Sequence, residues 1–233
     1  MLAILKREMQ NYFASPIGYI FLAVFYFFAG MFFSSVLYAN TTDVTYVFSS
    51  LFTVLIFIIP LLTMRSMSED KKQKTDQLLL TSPINLSGLV MGKFLAAFLM
   101  YCIALAVTVV YSLILAAFAA PEWSVVIGNI FGALILGAAL IAIGVFISSL
   151  TENQLIAAVG SFAVMMFIMM IDGFASLIPV DFIANIILSL SFMSRYEDFV
   201  SGILNISNVL FFVSIAVVFI FLTVRVLERR RWN

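Results

Sequence analysis

From residue 17 to residue 38 the chain runs for twenty-two residues without a charged side chain, and it does so again over 46–64, 94–120, 124–150, 155–171 and 209–224. A helix of about 20 apolar residues crosses the hydrocarbon core of a bilayer, so these runs predict six transmembrane helices. Composition removes the alternative of helices buried in a soluble core. Apolar residues make up 64% of the chain and charged residues 10%, whereas a soluble domain carries roughly 25% charge to meet water. The expected fold is an all-α integral membrane protein, with residues 1–233 forming a single transmembrane domain.

The charges orient the spans. With the N-terminus inside, the inner segments hold Lys6, Arg7, Arg65, Lys71, Lys72, Lys74, Lys93, Arg225, Arg229, Arg230 and Arg231, and the outer segments hold Arg195 alone. Inner loops are enriched in Lys and Arg, while Asp and Glu direct topology little. An odd number of spans would move the C-terminal arginines outside. Both termini are therefore expected in the cytoplasm, and the protein in the cell (cytoplasmic) membrane.

Several chemistries are excluded. The chain has no His and one cysteine, Cys102, which removes zinc sites, Ser-His-Asp triads and structural disulfides within it. Its formal net charge is zero, so nothing points to nucleic acid. Ion-coupled carriers and voltage sensors keep ionisable groups at mid-membrane; here only Asp172 approaches such a place, near an outer end. The stretch Gly88-Leu89-Val90-Met91-Gly92-Lys93-Phe94 falls short of a phosphate-binding loop. Its glycines are one residue too close, Phe94 replaces the Ser/Thr, and it opens a span instead of following a strand. Lys93 reads as a cation at the membrane edge, its stem in apolar surroundings and its head in water.

The segments between the spans carry what polarity there is. Residues 1–14 form an amphipathic helix with Leu2, Leu5, Met9, Tyr12 and Phe13 near one face, broken by Ser15-Pro16. It is either an interfacial helix lying in the headgroup plane or a simple topogenic anchor. Residues 65–83 make the largest inner loop. Ser66-x-x-Glu69 has capping-box spacing, and Glu69–Lys72 and Asp70–Lys74 are spaced for ion pairs along a helix. Leu78, Leu79 and Leu80 end it before Thr81-Ser82-Pro83. Such a helix is either a solvated loop or a contact surface for a soluble partner. The second inner loop, residues 151–154, contains Thr151 and Glu152. Small residues recur at Gly128-x-x-x-Gly132 and Ala138-x-x-x-Ala142, which allows close helix approach within the chain or between subunits. Residues 172–208, broken by Pro179 and by Arg195, Glu197 and Asp198, read as a short outer re-entrant or cap segment, because 182–190 is too short to span.

Four stretches carry a family resemblance. Arg65-Ser66-Met67-Ser68-Glu69-Asp70-Lys71-Lys72, continued by Thr75-Asp76-Gln77-Leu78-Leu79-Leu80-Thr81-Ser82-Pro83, resembles the R-x-x-x-E-E-[KR]…G-T-x-E-L-L-L-T-x-P run of ABC type-2 permeases. Gly92-Lys93-Phe94 is similar to the opening of that family's third span. The ending Arg225-Val226-Leu227-Glu228-Arg229-Arg230-Arg231-Trp232 and the stretch from Arg195 to Ile203 resemble its gliding-motility branch. Lys74 stands where the pattern often has Gly, and Asp76-Gln77 replaces x-Glu. The resemblance implies a permease subunit of an ATP-binding cassette transporter, an exporter working as a homodimer. Two copies of a separate ATPase would bind ATP and Mg, leaving this chain non-catalytic and without a cofactor of its own. It also implies a coupling helix seated on that ATPase through Ser66, Glu69, Asp70, Lys72, Asp76, Leu78, Leu79 and Leu80, with Thr151 and Glu152 as a second contact. A membrane-anchored extracytoplasmic auxiliary protein accompanies some relatives of that branch. The alternatives are a non-transporting scaffold or force-transmitting subunit, and an ATP-independent channel.

Overall fold

A computed structural model describes residues 1–41, 43–74, 85–118, 122–176 and 181–231. Every regular element among them is helical. In chain order they are α1 (Leu2–Ala14), α2 (Pro16–Tyr38), α3 (Thr45–Lys72), α4 (Leu86–Phe118), α5 (Trp123–Leu150), α6 (Gln154–Ser176), α7 (Asp181–Ser189), α8 (Phe192–Val200) and α9 (Ile206–Arg231). Six of them, α2 to α6 and α9, are long and apolar enough to cross a membrane. These are the six runs read from the sequence. Ser15 is extended between α1 and α2, and Pro16 opens α2, where its missing N–H leaves no helical bond unmade.

The bundle is organised around α3 and α5. About two thirds of the apolar window of each is buried within the chain (67% and 61%), against 17% for α9 and 22% for α6. The peripheral helices thus leave most of their apolar surface uncovered by the chain itself. Small residues put α5 at the centre. A Cβ on Gly137 would come within 2.2 Å of the Tyr101 ring, one on Gly132 within 2.4 Å of Phe199, and one on Gly128 within 3.3 Å of Gly202. The Tyr101 hydroxyl donates to the Ala133 carbonyl at 2.7 Å, pinning α4 to α5. Ala142 is fully buried and Ala138 partly so. Of the two readings of this small-residue stripe, packing within the chain is the one these contacts describe.

Among the described residues of 172–208 there is no further span. Helix α6 continues past Asp172 to Ser176, and the two helices after it have nine residues each. They differ in role. In α7, Phe182, Ile183, Ile186 and Leu188 are exposed, whereas Tyr196 and Phe199 of α8 are wholly buried. Tyr196 stacks on Phe52 and donates to the Phe48 carbonyl at 3.3 Å, which seats α8 on α3.

One local expectation is overturned. Ser66 does not begin a separate helix, because α3 runs without a break from Thr45 to Lys72. The capping-box spacing is outweighed by Arg65, which reaches Glu69 one turn on with two bonds of 2.6 Å. That pair, with no breaker between Met64 and Lys72, lets the helix propagate into the loop. It ends at Lys72, and Lys74, just past the Gln73 cap, has a left-handed φ of 56°. There an L side chain is disfavoured and Gly is not, which explains why a glycine suits that position in the resembling pattern.

Candidate functional site

At the end of the bundle that carries Arg7, Arg65, Lys71 and Lys93, three helices converge on one cluster of charge. Ile4, Glu8 and Tyr12 recur every four residues on α1 and are the residues it buries. Gly92 lets α1 approach, since a Cβ there would lie 2.9 Å from Ile4. Tyr12 donates to the Leu62 carbonyl of α3 at 3.1 Å. Burial pushes its phenol up from the ordinary value, and the charge of Glu8 adds to the effect. Of the apolar face read from the sequence, Leu2 and Phe13 are exposed and Tyr12 is packed, while Glu8, outside that face, is inside.

Glu8 is inside because it has partners. Its Oε1 accepts from Arg7 at 2.8 Å and from Lys93 of α4 at 3.1 Å. Lys93 also lies 2.7 Å from Asp70 of α3 and donates to the Ser66 carbonyl. Arg7 closes the circuit at 3.5 Å from Asp70; the hydrogen bond to Glu8 is the main reason its guanidinium is held above the ordinary range. Lys93 is thus no snorkelling anchor. Its side chain is 2% exposed, because the position lies two turns inside α4 and α1 covers it. A cation taken out of water must be paired and hydrogen-bonded, and α1 and α3 supply the acceptors.

The residues expected to meet a partner fall into groups. Ser66 is buried. Glu69 and Asp70 are half-buried in the cluster, paired with Arg65 and with Lys93 and Arg7 instead of the expected Lys72 and Lys74. Lys72, Gln73 and Lys74 are exposed at the tip of α3. Asp76, Leu78, Leu79 and Leu80 lie outside the described residues. Thr151 is half-buried and Glu152 exposed in the loop after α5, and the carbonyl of Ser149, two residues before that loop, accepts from Lys71 of α3. Lys71 thus brings the tip of α3 against the end of α5 that leads into residues 151–154. At the other end, Arg195 donates to Asn208 at 3.0 Å, lies over the Phe211 ring at 4.3 Å, and is linked to Asp198 through the Asn208 amide at 2.6 Å; Glu197 is exposed.

Sequence reasoning missed Glu8 as a partner of Lys93, and Arg7 as a partner of Glu8 and Asp70, although Glu8 lies on the Ile4–Tyr12 stripe and a charge there was a signal. Among the described residues, no group of three or more His, Cys, Asp or Glu side chains converges as a metal ion would require. A polar cleft opens between α1 and α3, lined by Glu8, Asn11, Ser15, Arg65, Glu69 and Gln73. A family model described as "ABC-2 family transporter protein" matches residues 57–232. The match takes in Arg65, Glu69, Asp70 and Lys93 but not Arg7 or Glu8. Among curated proteins none matches the chain.

Proposed function

The chain belongs to the ABC-2 family of transporter proteins, the membrane permeases that ATPase subunits drive, and from that premise we propose that it is one half of a homodimeric exporter coupled to two ATPase copies. The observation that carries the coupling is the placement of the two inner segments. Residues 65–74 carry α3 to an exposed tip at 72–74, and residues 151–154 follow the end of α5, which Lys71 meets. Lys72, Gln73, Lys74, Glu152 and Asn153 are exposed on this surface, and they form the contact that receives the ATPase. ATP and Mg bind on that partner. The cluster around Lys93 fixes the α3 extension to α1 and α4, so that a push on its tip reaches the bundle.

Both termini lie on the cytoplasmic side in this reading, as the Lys/Arg distribution requires, and the exposed Leu2 and Phe13 of α1 rest in the headgroup layer of the cell membrane. Helices α7 and α8 cap the outer end of the pathway between two copies. Co-expression with a candidate ATPase and reconstitution in liposomes tests the proposal. ATP-dependent flux that needs both proteins supports it; ATP turnover without flux of any cargo would mark the chain as a force-transmitting component instead.

A further inference from the structure

The last turn of α5 is hydrogen-bonded into the backbone of α3. The Ser148 hydroxyl accepts from the N–H of Met67 at 3.0 Å and of Ser68 at 3.1 Å, and donates to the carbonyl of Met64 at 3.0 Å. A serine hydroxyl has one proton and two lone pairs, so its whole capacity is used on a helix eighty residues away in sequence. The carbonyl of the next residue, Ser149, accepts from Lys71. Carbonyls in the last turn of a helix lack intrahelical donors and form the negative end of its dipole, so a cation is favoured there. One turn earlier, a Cβ on Gly144 would stand 2.2 Å from Thr63 Oγ1, which brings the two helices together. Gly144, Ser148 and Lys71 are all buried.

This clip follows a stretch of α3 that carries a proline and back-bonding hydroxyls. Pro60 contributes no N–H, the Thr63 hydroxyl donates to the Ile59 carbonyl at 3.0 Å, and the Ser68 hydroxyl donates to Met64. Proline and inserted hydroxyls are the usual causes of bending in a helix. Left alone, the α3 extension would be free to swing about this stretch. The end of α5 holds it alongside the Lys93 cluster, and α5 leads directly into residues 151–154.

Building on the permease reading above, we infer that Ser148 and Lys71 are positioning residues that join the two ATPase-facing segments, residues 65–74 and 151–154, into one rigid lever. A displacement of either segment then moves both, and α3 and α5, the two most buried spans, move with them. The ATPase thus acts on the centre of the bundle and not on a loop.

Spin labels at Gln73 and Asn153, both exposed, in a chain carrying Cys102→Ala and held in nanodiscs, report the lever without any partner. Double electron–electron resonance should give one narrow distance for the parent chain. Ser148→Ala combined with Lys71→Met should broaden it, the detached population rising on the order of ten-fold for the hydrogen bonds removed. Lys71→Met alone should broaden it less, and Lys71→Arg, which keeps a donor, should stay narrow. A control pair at Trp123 and Ile203, at the opposite end, should not change. An unchanged 73–153 distance in the double variant overturns the inference, as does equal broadening of the control pair, which would signal general loosening. In the ATPase complex the double variant should keep ATP turnover and lose several-fold in flux per ATP. The distances decide the lever; whether the parent chain takes up an ATPase at all decides the permease reading separately.

Discussion

Replacing Lys93 by Met tests the charge cluster most directly. The two side chains are similar in length, so packing along the stem is kept while the ammonium is lost. Three acceptors lose a donor: Glu8 at 3.1 Å, Asp70 at 2.7 Å and the Ser66 carbonyl. The carbonyl lies within α3, but the two carboxylates, whose side chains are 12% and 18% exposed, would face each other across the vacated space. Breaking a buried ion pair from one side costs about 3–5 kcal/mol, because the remaining charge is left desolvated. Arg7 offsets part of this, since it stays 2.8 Å from Glu8 and 3.5 Å from Asp70. The expected loss is therefore near the lower bound, about 3 kcal/mol.

Steric-trapping or reversible detergent unfolding gives the free energy, and protease cleavage near Ser15 reports release of α1. Lys72→Met, at an exposed position two residues past Asp70, should stay within about 0.5 kcal/mol of the parent. In a cycle with Asp70→Asn, the double variant should recover about 1–2 kcal/mol relative to the sum of the singles, because neutral Asn no longer needs the cation. A Lys93→Met loss below about 0.5 kcal/mol, or strict additivity in the cycle, would refute the claim that these charges hold α1, α3 and α4 together.

Single cysteines in a Cys102-free chain should label at position 72 only from the cytoplasmic side and at 197 from outside intact cells; the reverse pattern sinks the orientation. Gly137→Ala should destabilise by about 1–3 kcal/mol through overpacking against Tyr101, whereas Gly88→Ala, with nothing within 4 Å, should be neutral or gain up to about 1 kcal/mol from helix propensity; thermal unfolding in detergent ranks them. Lys74→Gly should stabilise the end of α3 by up to about 1 kcal/mol, since the φ of 56° suits Gly, measured as slower amide exchange in the preceding turn. The Tyr12 phenol has a folded-state pKa raised above the ordinary value, so its contribution is complete below about pH 10 and is lost as pH rises further. Tyr12→Phe should flatten that alkaline decline in thermal stability, and an unchanged decline would exclude Tyr12 as its source.

What could be read from the sequence was whatever depends on one stretch at a time. A run such as 124–150 declares a span by length and lack of charge. The nine residues from 182 to 190 declare that they cannot cross, and α7 and α8 are indeed short. Ser66 misled because its signal was local and the decision was not: the capping spacing competes with a helix already nucleated twenty residues earlier and with the Arg65–Glu69 pair. Lys93 misled for the opposite reason. Its partners are Glu8, eighty-five residues away, and Asp70, and no periodicity within α4 reveals a helix that covers it. Ser148 is equally mute in sequence, one hydroxyl among small residues, and gains meaning only when α3 lies against it.

The same distinction bears on where cargo crosses. Hydroxyls within the spans are largely bound to their own helices: Thr63 to Ile59, Thr108 to Leu105, Ser112 to Thr108 and Thr223 to Phe219. A hydroxyl committed to its own helix is a poor solvating group for a passing polar solute, because leaving that acceptor has a cost and nothing replaces it. The ionic groups are held at one end, around Lys93, and the Arg195–Asn208–Asp198 network joins α8 to α9. The centre of the chain between α3 and α5 is filled by Leu55, Ile59, Ala139, Leu140 and Ile143, all with 0–1% exposure. A route through one chain would have to open this packed, apolar core. Opening a surface shared with a second copy would not, since α2, α6 and α9 already leave most of their apolar surface uncovered. Energy delivered to α3 and α5 is then best used in moving whole helices relative to that second copy, which is why the pathway we propose lies between chains and suits amphipathic cargo able to share a boundary with lipid.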